Sequence, residues 1–461
     1  MVSSRTLSPG DVVDVEFTDL LANGQAVGRA GGMVVFVWGP LPGERARARV
    51  SLVKAKYAVA DMVELLELSA ERTQPFCSVF GICGGCQVQH LAYRSQLEWK
   101  RRMLVSALRR IGGIREARVC QALGMENPRA YRNKMALVVH QGADAATEFG
   151  FYQARSHDVV RIESCPVVRP QLDGTIGHLW AAAREPSTEP AFTGARHIVA
   201  RVGRKSEQVV VSVTTDRPSP ALRALAPALA GALPGVAGIA NSYDPNSPNA
   251  VMGRKNVTVY GSPETEEEIG GVKFRVSAPS FFQVNSEIVG RIFEFLAPGV
   301  REHARIVDLY CGAGTFALFF AQRGAEVTGI EENSDAVREA RANAERNGLT
   351  SAAFVAGRVE RLVRGGPSAR ALASADVVFL DPPRKGSDEL TLGAIAQARV
   401  PHVWYLSCNP ATLARDLAQL VAAGYLLDLV QPFDMFPQTG HIEALAALRL
   451  PDVAAVDFKV A

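Results

Sequence analysis

Short runs of alternating apolar and polar residues open the chain. Val12-Val13-Asp14-Val15-Glu16-Phe17 and Met33-Val34-Val35-Phe36-Val37 are separated by Gly and Pro turns, which predicts a small β-barrel over residues 1–70. In the next run Arg45, Arg47 and Arg49 alternate with Ala46, Ala48 and Val50, so on a strand the arginines share one face. Lys54 and Lys56 extend this basic stripe, which reads as a phosphate-facing surface or as a solvated strand face. A cysteine-rich loop follows, then helical periodicity from Leu91 to Ile111. Leu97, Leu104, Val105, Leu108 and Ile111 fall on one face, and Lys100, Arg101, Arg102, Arg109 and Arg110 cover much of the rest as a second basic surface.

From about residue 119 to 280, strand-like runs such as Met135 to His140 and Gln208 to Val213 alternate with polar loops and predict a mixed α+β region. Glu264 to Glu268 reads most simply as a solvated turn. Beyond residue 290 the pattern becomes strand-helix alternation. The strands are Ile306 to Leu309, Glu326 to Ile330, Val377 to Leu380 and His402 to Leu406, and one intervening helix runs from Ser334 to Asn347 and closes at Gly348. That is the pattern of a doubly wound parallel sheet, whose ligands lie at the carboxyl ends of the strands.

With 461 residues, 48% hydrophobic and 21% charged, the chain has the make-up of a soluble protein of two or three domains. No apolar run is long enough for a membrane span, and Met1 to Arg5 lacks the apolar stretch of a signal peptide, so a cytoplasmic location is expected. A net charge of only +3 leaves any nucleic-acid partner to be read from local clusters. Seven cysteines, at 77, 83, 86, 120, 165, 311 and 408, argue for metal binding or catalysis over a disulfide framework.

The candidate chemistry sits at strand ends. Asp308-Leu309-Tyr310-Cys311-Gly312-Ala313-Gly314-Thr315 joins a strand to a helix, and Gly312 and Gly314 permit close backbone approach to a ligand. Glu331-Glu332 closes the next strand, where a carboxylate can accept bonds from ribose hydroxyls. The turn lacks the complete dinucleotide fingerprint, which favours a nucleoside without a pyrophosphate, S-adenosylmethionine above all. Asp381-Pro382-Pro383-Arg384 holds a carboxylate at the sheet rim. Ser407-Cys408-Asn409-Pro410 places a cysteine between a strand and a helix, as a buried packing residue or a nucleophile. Cys77, Cys83 and Cys86, with Cys165 as a possible fourth ligand, suit tetrahedral zinc or an iron–sulfur cluster, and spacing does not choose between them. Cys120 and Cys311 read as packing.

These blocks, with Tyr131-Arg132-Asn133-Lys134, Phe281-Phe282-Gln283-Val284-Asn285 and Phe436-Pro437-Gln438-Thr439-Gly440-His441-Ile442-Glu443, resemble the class I RNA uracil-5-methyltransferases, in the branch with an N-terminal TRAM domain and a four-iron cluster. The resemblance implies a multi-domain α/β protein in three parts. These are a TRAM/OB-like RNA-binding β-barrel (1–70), an α+β central domain with an iron–sulfur loop (71–280) whose helix at about 91–111 packs on the catalytic domain, and a Rossmann-like class I methyltransferase domain (281–461).

It further implies that Cys77, Cys83, Cys86 and Cys165 hold a [4Fe-4S] cluster and that Gln283, Tyr310, Thr315, Glu331, Arg358 and Asp381 line the S-adenosylmethionine pocket. Cys408 takes the place of the nucleophile and Glu443 that of the base, with His441 a structural neighbour. Thr315 stands where some members have asparagine, and Arg358 where Asp or Asn is frequent. Arg132, Lys134 and the basic helix would hold phosphates. The expected partner is RNA, 23S rRNA ahead of tRNA because the cluster loop and barrel are like those of large-subunit rRNA enzymes, and the protein is expected to be a monomer. The competing readings are a non-catalytic iron–sulfur RNA-binding protein and a nitrogen-directed methyltransferase.

Overall fold

Alternation at the start of the chain closes into a five-stranded barrel, β1 (Val12–Leu20), β2 (Gln25–Ala30), β3 (Met33–Trp38), β4 (Arg45–Val53) and β5 (Tyr57–Glu67), in the order β1-β2-β3-β5-β4. The computed structural model describes residues 7–142, 146–247 and 250–458, so Met1 to Arg5 lie outside the described residues. Ala46, Ala48 and Val50 point into the barrel and are buried, which turns Arg45, Arg47 and Arg49 outward. Two of the three arginines are neutralised, however. Arg45 pairs with Glu67 and Asp14, and Arg47 with Asp14 and Glu64, because the strands on either side bring carboxylates into register with the arginines.

A central seven-stranded sheet follows, with β6 (Lys134–Gln141), β7 (Thr147–Tyr152), β8 (Val159–Arg161), β9 (Ala195–Val202), β10 (Val209–Thr215), β11 (Val236–Tyr243) and β12 (Lys255–Gly261) in the order β12-β11-β10-β9-β6-β7-β8. The helices Pro170–Ala182 and Pro220–Ala232 pack their apolar sides on it around Leu172, Ile176, Leu222 and Leu229. The acidic run expected as a turn is a strand. β13 (Glu264–Ile269) pairs with β14 (Val272–Ser277), and alternation turns Thr265, Glu267 and Ile269 inward. Glu267 accepts a hydrogen bond from Ser286 Oγ at 2.9 Å.

The C-terminal sheet contains β15 (Arg305–Leu309), β16 (Glu326–Glu331), β17 (Ala352–Ala356), β18 (Val377–Leu380), β19 (His402–Ser407), β20 (Leu426–Phe433) and β21 (Glu443–Arg449), ordered β17-β16-β15-β18-β19-β21-β20. The first five are parallel, and β21 enters antiparallel between β19 and β20. The near-continuous apolar runs of β18 and β19 follow from burial on both faces. Topology reverses at β15 and β18, so the carboxyl ends of these strands open the crevice where such folds bind ligands.

The helix Tyr93–Arg110 packs across the C-terminal sheet's helix Pro410–Ala422. Its Lys100 does not face RNA as expected from the cationic face. It is fully buried, with Nζ donating to Asp434 Oδ1 at 2.5 Å and to Phe436 O at 3.0 Å. No helix among the described residues is long and apolar enough to cross a membrane.

Candidate active site

Between β15 and the helix Thr315–Gln322 the backbone turns through three left-handed residues, Tyr310 (φ 66°), Gly312 (φ 54°) and Gly314 (φ 84°). A side chain on Gly314 would press on Ala340 and Phe354 at 3.2 Å, whereas the space beyond Gly312 is open. The turn therefore presents bare backbone to a cavity of about 1600 Å³. Glu331, at the end of β16, steadies it by accepting hydrogen bonds from Gly312 N at 3.1 Å and Asn333 N at 2.7 Å. A carboxylate offers about four acceptor directions, so capacity for a ribose remains.

Gln283, Tyr310, Thr315, Glu331, Arg358, Asp381, Cys408 and Glu443 all line this one cavity. Tyr310 O–H meets Ser387 Oγ at 3.1 Å. Arg358 faces the cavity from its rim, where it pairs with Glu360 at 2.6 Å. Gln283 Nε2 donates to Asp381 Oδ2 at 3.4 Å, and burial pushes Asp381 up to about 7.

Register explains how residues 35 positions apart in sequence meet. Ser407, the last residue of β19, lies opposite Ala444 of β21, so Cys408 leaves one strand beside the residue, Glu443, that begins its antiparallel neighbour. Glu443 is buried, and its Oε1 has no hydrogen-bond partner among the described residues. Burial, with the Asp381 carboxylate second, raises its pKa well above the ordinary range.

Burial, then Glu443 and Asp381, push the Cys408 thiol up to about 11, against a lowering by Arg384. Asn409 Oδ1 already accepts from Ala411 N at 3.1 Å, capping the helix in the cysteine's place.

Asn409 also donates from Nδ2 to Arg384 O at 2.9 Å, joining the cysteine turn to the Asp381-Pro382-Pro383-Arg384 segment. Arg384 had no role assigned from sequence, yet it lines the cavity and lies 3.1 Å from His441 Nδ1. Burial, with Arg384, Lys100 and Arg132 adding, holds His441 down at about 4, so the ring is neutral near pH 7. Gln87 of the cysteine loop and the exposed Phe281 are further lining residues that carried no sequence signal beyond their motifs. Arg132 reaches the cavity. Lys134 is half-buried on β6 and is not among the residues lining the cavity, and burial with Arg201 lowers its pKa to about 8.

Cys77, Cys83, Cys86 and Cys165 carry free thiols, and neighbouring cysteines add to the raised pKa of Cys83, Cys86 and Cys165. Burial pushes Cys86 up to about 12, with Cys165, Cys83 and Cys77 adding to the rise. Cys165 is pushed up to about 11 by burial, with Cys83 and Cys77 again adding. Among the described residues no group of three or more His, Cys, Asp or Glu side chains is arranged to hold a metal ion. Cys120 and Cys311 are buried in the apolar core.

A family model for tRNA (uracil-5-)-methyltransferase matches residues 267–449, and one for the TRAM domain matches residues 7–63. An uncharacterized RNA methyltransferase of Thermosynechococcus vestitus is 37% identical over 451 residues, covering 95% of this chain and 98% of that protein. One of Halalkalibacterium halodurans is 36% identical over 454 residues, covering 96% and 98%. The crystal structure of Pyrococcus abyssi tRNA (uracil-54, C5)-methyltransferase in complex with S-adenosyl-L-homocysteine superposes with a TM-score of 0.73 at 26% identity, covering 95% of this chain and 100% of that one.

Proposed function

We propose that this chain, which belongs to the RNA uracil-5-methyltransferase family, methylates carbon 5 of one uridine through a covalent bond between Cys408 and carbon 6 of the base. The observation that carries the reading is the meeting of Cys408 and Glu443 across adjacent strands in the same cavity as the glycine turn. Carbon 5 of uracil is a weak nucleophile until a thiolate adds at carbon 6. S-adenosylmethionine supplies the electrophilic methyl group when bound. Gln283, Tyr310, Thr315, Glu331, Arg358 and Asp381 would hold it.

The proton and electron balance is closed within the site. Cys408 gives up its proton, its sulfur bonds to carbon 6, and the double-bond electrons move to carbon 5, which takes the methyl group. Glu443 then removes the proton from carbon 5, the double bond re-forms, and the sulfur–carbon bond breaks. The proton on Glu443 can return to the sulfur, so one proton is released per methyl transferred. A carboxylate seated in apolar surroundings is a stronger base once ionised. The base must leave its stack to reach Cys408, which calls for a flipped or single-stranded uridine.

For the target, 23S rRNA is the reading from the cluster loop and barrel. A tRNA uridine is a second reading, favoured by the full-length likeness to the Pyrococcus abyssi tRNA enzyme. Nucleoside mass spectrometry of rRNA and tRNA from a strain lacking the gene decides between them, with 5-methyluridine expected to vanish from one pool. If neither pool loses it, the proposed reaction is wrong.

We also propose that Cys77, Cys83, Cys86 and Cys165 hold a [4Fe-4S] cluster. Buried thiols that oppose one another's ionisation need a cationic group to become thiolates. Four thiolates also suit tetrahedral zinc, and a metal and sulfide assay separates the two. Protein purified without oxygen should carry iron and acid-labile sulfide in equal amounts and lose both in Cys86→Ser. Stoichiometric zinc without sulfide would overturn the assignment.

A further inference from the structure

One stretch of the cavity wall carries buried carboxyl groups with no cation against them. Asp308 lies next to last in β15, in register with Gly329 of β16 and Phe379 of β18. It is 1% exposed yet lines the cavity, and neither of its carboxyl oxygens has a hydrogen-bond partner among the described residues. Asp381 follows β18, its amide donating to Leu309 O at 3.3 Å and its carboxyl accepting from Gln283 Nε2 at 3.4 Å. Glu443, with Oε1 unpartnered, lines the same cavity. Among the described residues no lysine or arginine forms an ion pair with any of the three.

Asp381 is the link between the other two. Burial raises the pKa of Asp308 well above the carboxylate range and Asp381 adds to the rise; the Ala317 amide opposes it and Glu331 adds again. Asp381 also adds to the rise of Glu443 and of Cys408, where Arg384 opposes it, and Asp308 adds to that of Cys311. Two adjoining buried carboxyls do not both ionise, so they keep a proton between them. A ligand that brings positive charge reverses this, because it favours the ionised form of both.

Sheet order sets β18 between β15 and β19, so Asp381 stands between the glycine turn and Cys408. S-adenosylmethionine carries a positive charge on the sulfur that bears the transferable methyl group. That methyl must reach a base at Cys408, which brings the charged sulfur to the part of the wall where Asp308 and Asp381 meet.

We infer that Asp308 and Asp381 form a carboxyl pair that keeps a proton in the empty cavity and releases it when the cationic cofactor enters, so that the site prefers S-adenosylmethionine to the product with an uncharged sulfur. The inference rests on the cofactor reading proposed above and adds a means of discrimination to it. After methyl transfer the sulfur is neutral, the pair takes a proton back, and the product is held less tightly. The two exchanges cancel over a turnover, so the release of one proton per methyl group is unchanged.

The test is calorimetric titration of the full-length protein with two ligands. Sinefungin carries a protonated amine in place of the methylsulfonium and transfers no methyl group, and S-adenosyl-L-homocysteine has the uncharged sulfur. Comparing heats in phosphate and in Tris buffer counts the protons exchanged. Near neutral pH sinefungin should release about one proton and S-adenosyl-L-homocysteine less than about a third of one. Sinefungin affinity should fall by up to about tenfold for each unit that pH is lowered below Asp381's raised value, and level off once both carboxyls are ionised. Asp308→Asn should at least halve the proton release, by about a half or more, and shrink sinefungin's advantage about tenfold, the equivalent of one pKa unit. Its melting temperature should not fall, since the change removes a buried carboxyl that has no partner.

Equal proton release with the two ligands, or none with sinefungin, refutes the pair on the parent protein alone. A purely structural Asp308, serving the Ala317 amide at the start of the helix Thr315–Gln322, predicts a lower melting temperature in Asp308→Asn with proton count and preference unchanged. That result also refutes the pair. If neither ligand binds the parent, the cofactor reading fails and the pair with it, whereas binding of both without the difference in protons overturns the pair and leaves the cofactor reading standing.

Discussion

With glutamine at position 443, RNA is expected to remain attached to the protein. Glu443→Gln keeps the size of the buried side chain but cannot remove the carbon 5 proton, so Cys408 can add, methyl transfer can follow, and elimination cannot. On a denaturing gel the RNA should migrate with the protein, and Cys408→Ala should remove that band and all turnover. Loss of a general base costs on the order of 10² to 10⁴ in rate, while loss of the nucleophile removes the route altogether. A band that persists in Cys408→Ala would overturn the assignment.

The pH dependence carries the same sign for both groups. Glu443 and Cys408 act in their ionised forms, and burial raises both pKa values, so turnover should fall as pH is lowered toward 7 instead of holding down to the ordinary carboxylate range. Asp381→Asn removes a negative charge that raises both groups. The acid limb that survives in it should therefore move to lower pH, even though overall activity drops.

Much of this site is legible in the sequence because the chemistry sits at strand ends. The glycine turn, Glu331, Asp381 and Cys408 each follow an apolar run, and parallel pairing carries all four to one edge. What the sequence hides is pairing over distance. Nothing near Lys100 separates it from Arg101 and Arg102, and only the fold brings Asp434 against it. Arg45 and Arg47 look free until β1 and β5 supply their carboxylates. The acidic run at Glu264 lacks visible alternation because Glu267 itself is an inward residue, held by Ser286 from a helix that starts well beyond it.

A second large effect is expected from a single methyl group at Gly440, three residues before Glu443. A Cβ there would lie 1.7 Å from Ala22 O in the β1–β2 turn of the barrel, far inside any tolerated contact, and the atom in the way is backbone. The segment carrying Gly440 has little freedom to yield on its N-terminal side. Lys100 holds Asp434 and Phe436, Tyr131 O–H donates to Pro437 O at 3.1 Å, and Gln438 O accepts from Gln87 N and Val88 N at 3.0 and 3.1 Å. Gln438 exchanges two further bonds with Gln96. The barrel turn is pinned as well, through Trp99 Nε1 to Leu20 O at 3.1 Å. The displacement must therefore pass into Thr439 to Ile442 and on to Glu443.

Misplacing a catalytic group by about 1 Å costs on the order of 100-fold in rate. Gly440→Ala should therefore lower kcat by about that factor in single-turnover methyl transfer, with a smaller change in RNA affinity. Gly174→Ala, on a helix where the added carbon meets nothing within 4 Å, should retain full activity and gain up to about 1 kcal/mol of stability. A Gly440→Ala enzyme with kcat within threefold of the parent would mean that the barrel yields instead, and that Glu443 is positioned by its own sheet alone.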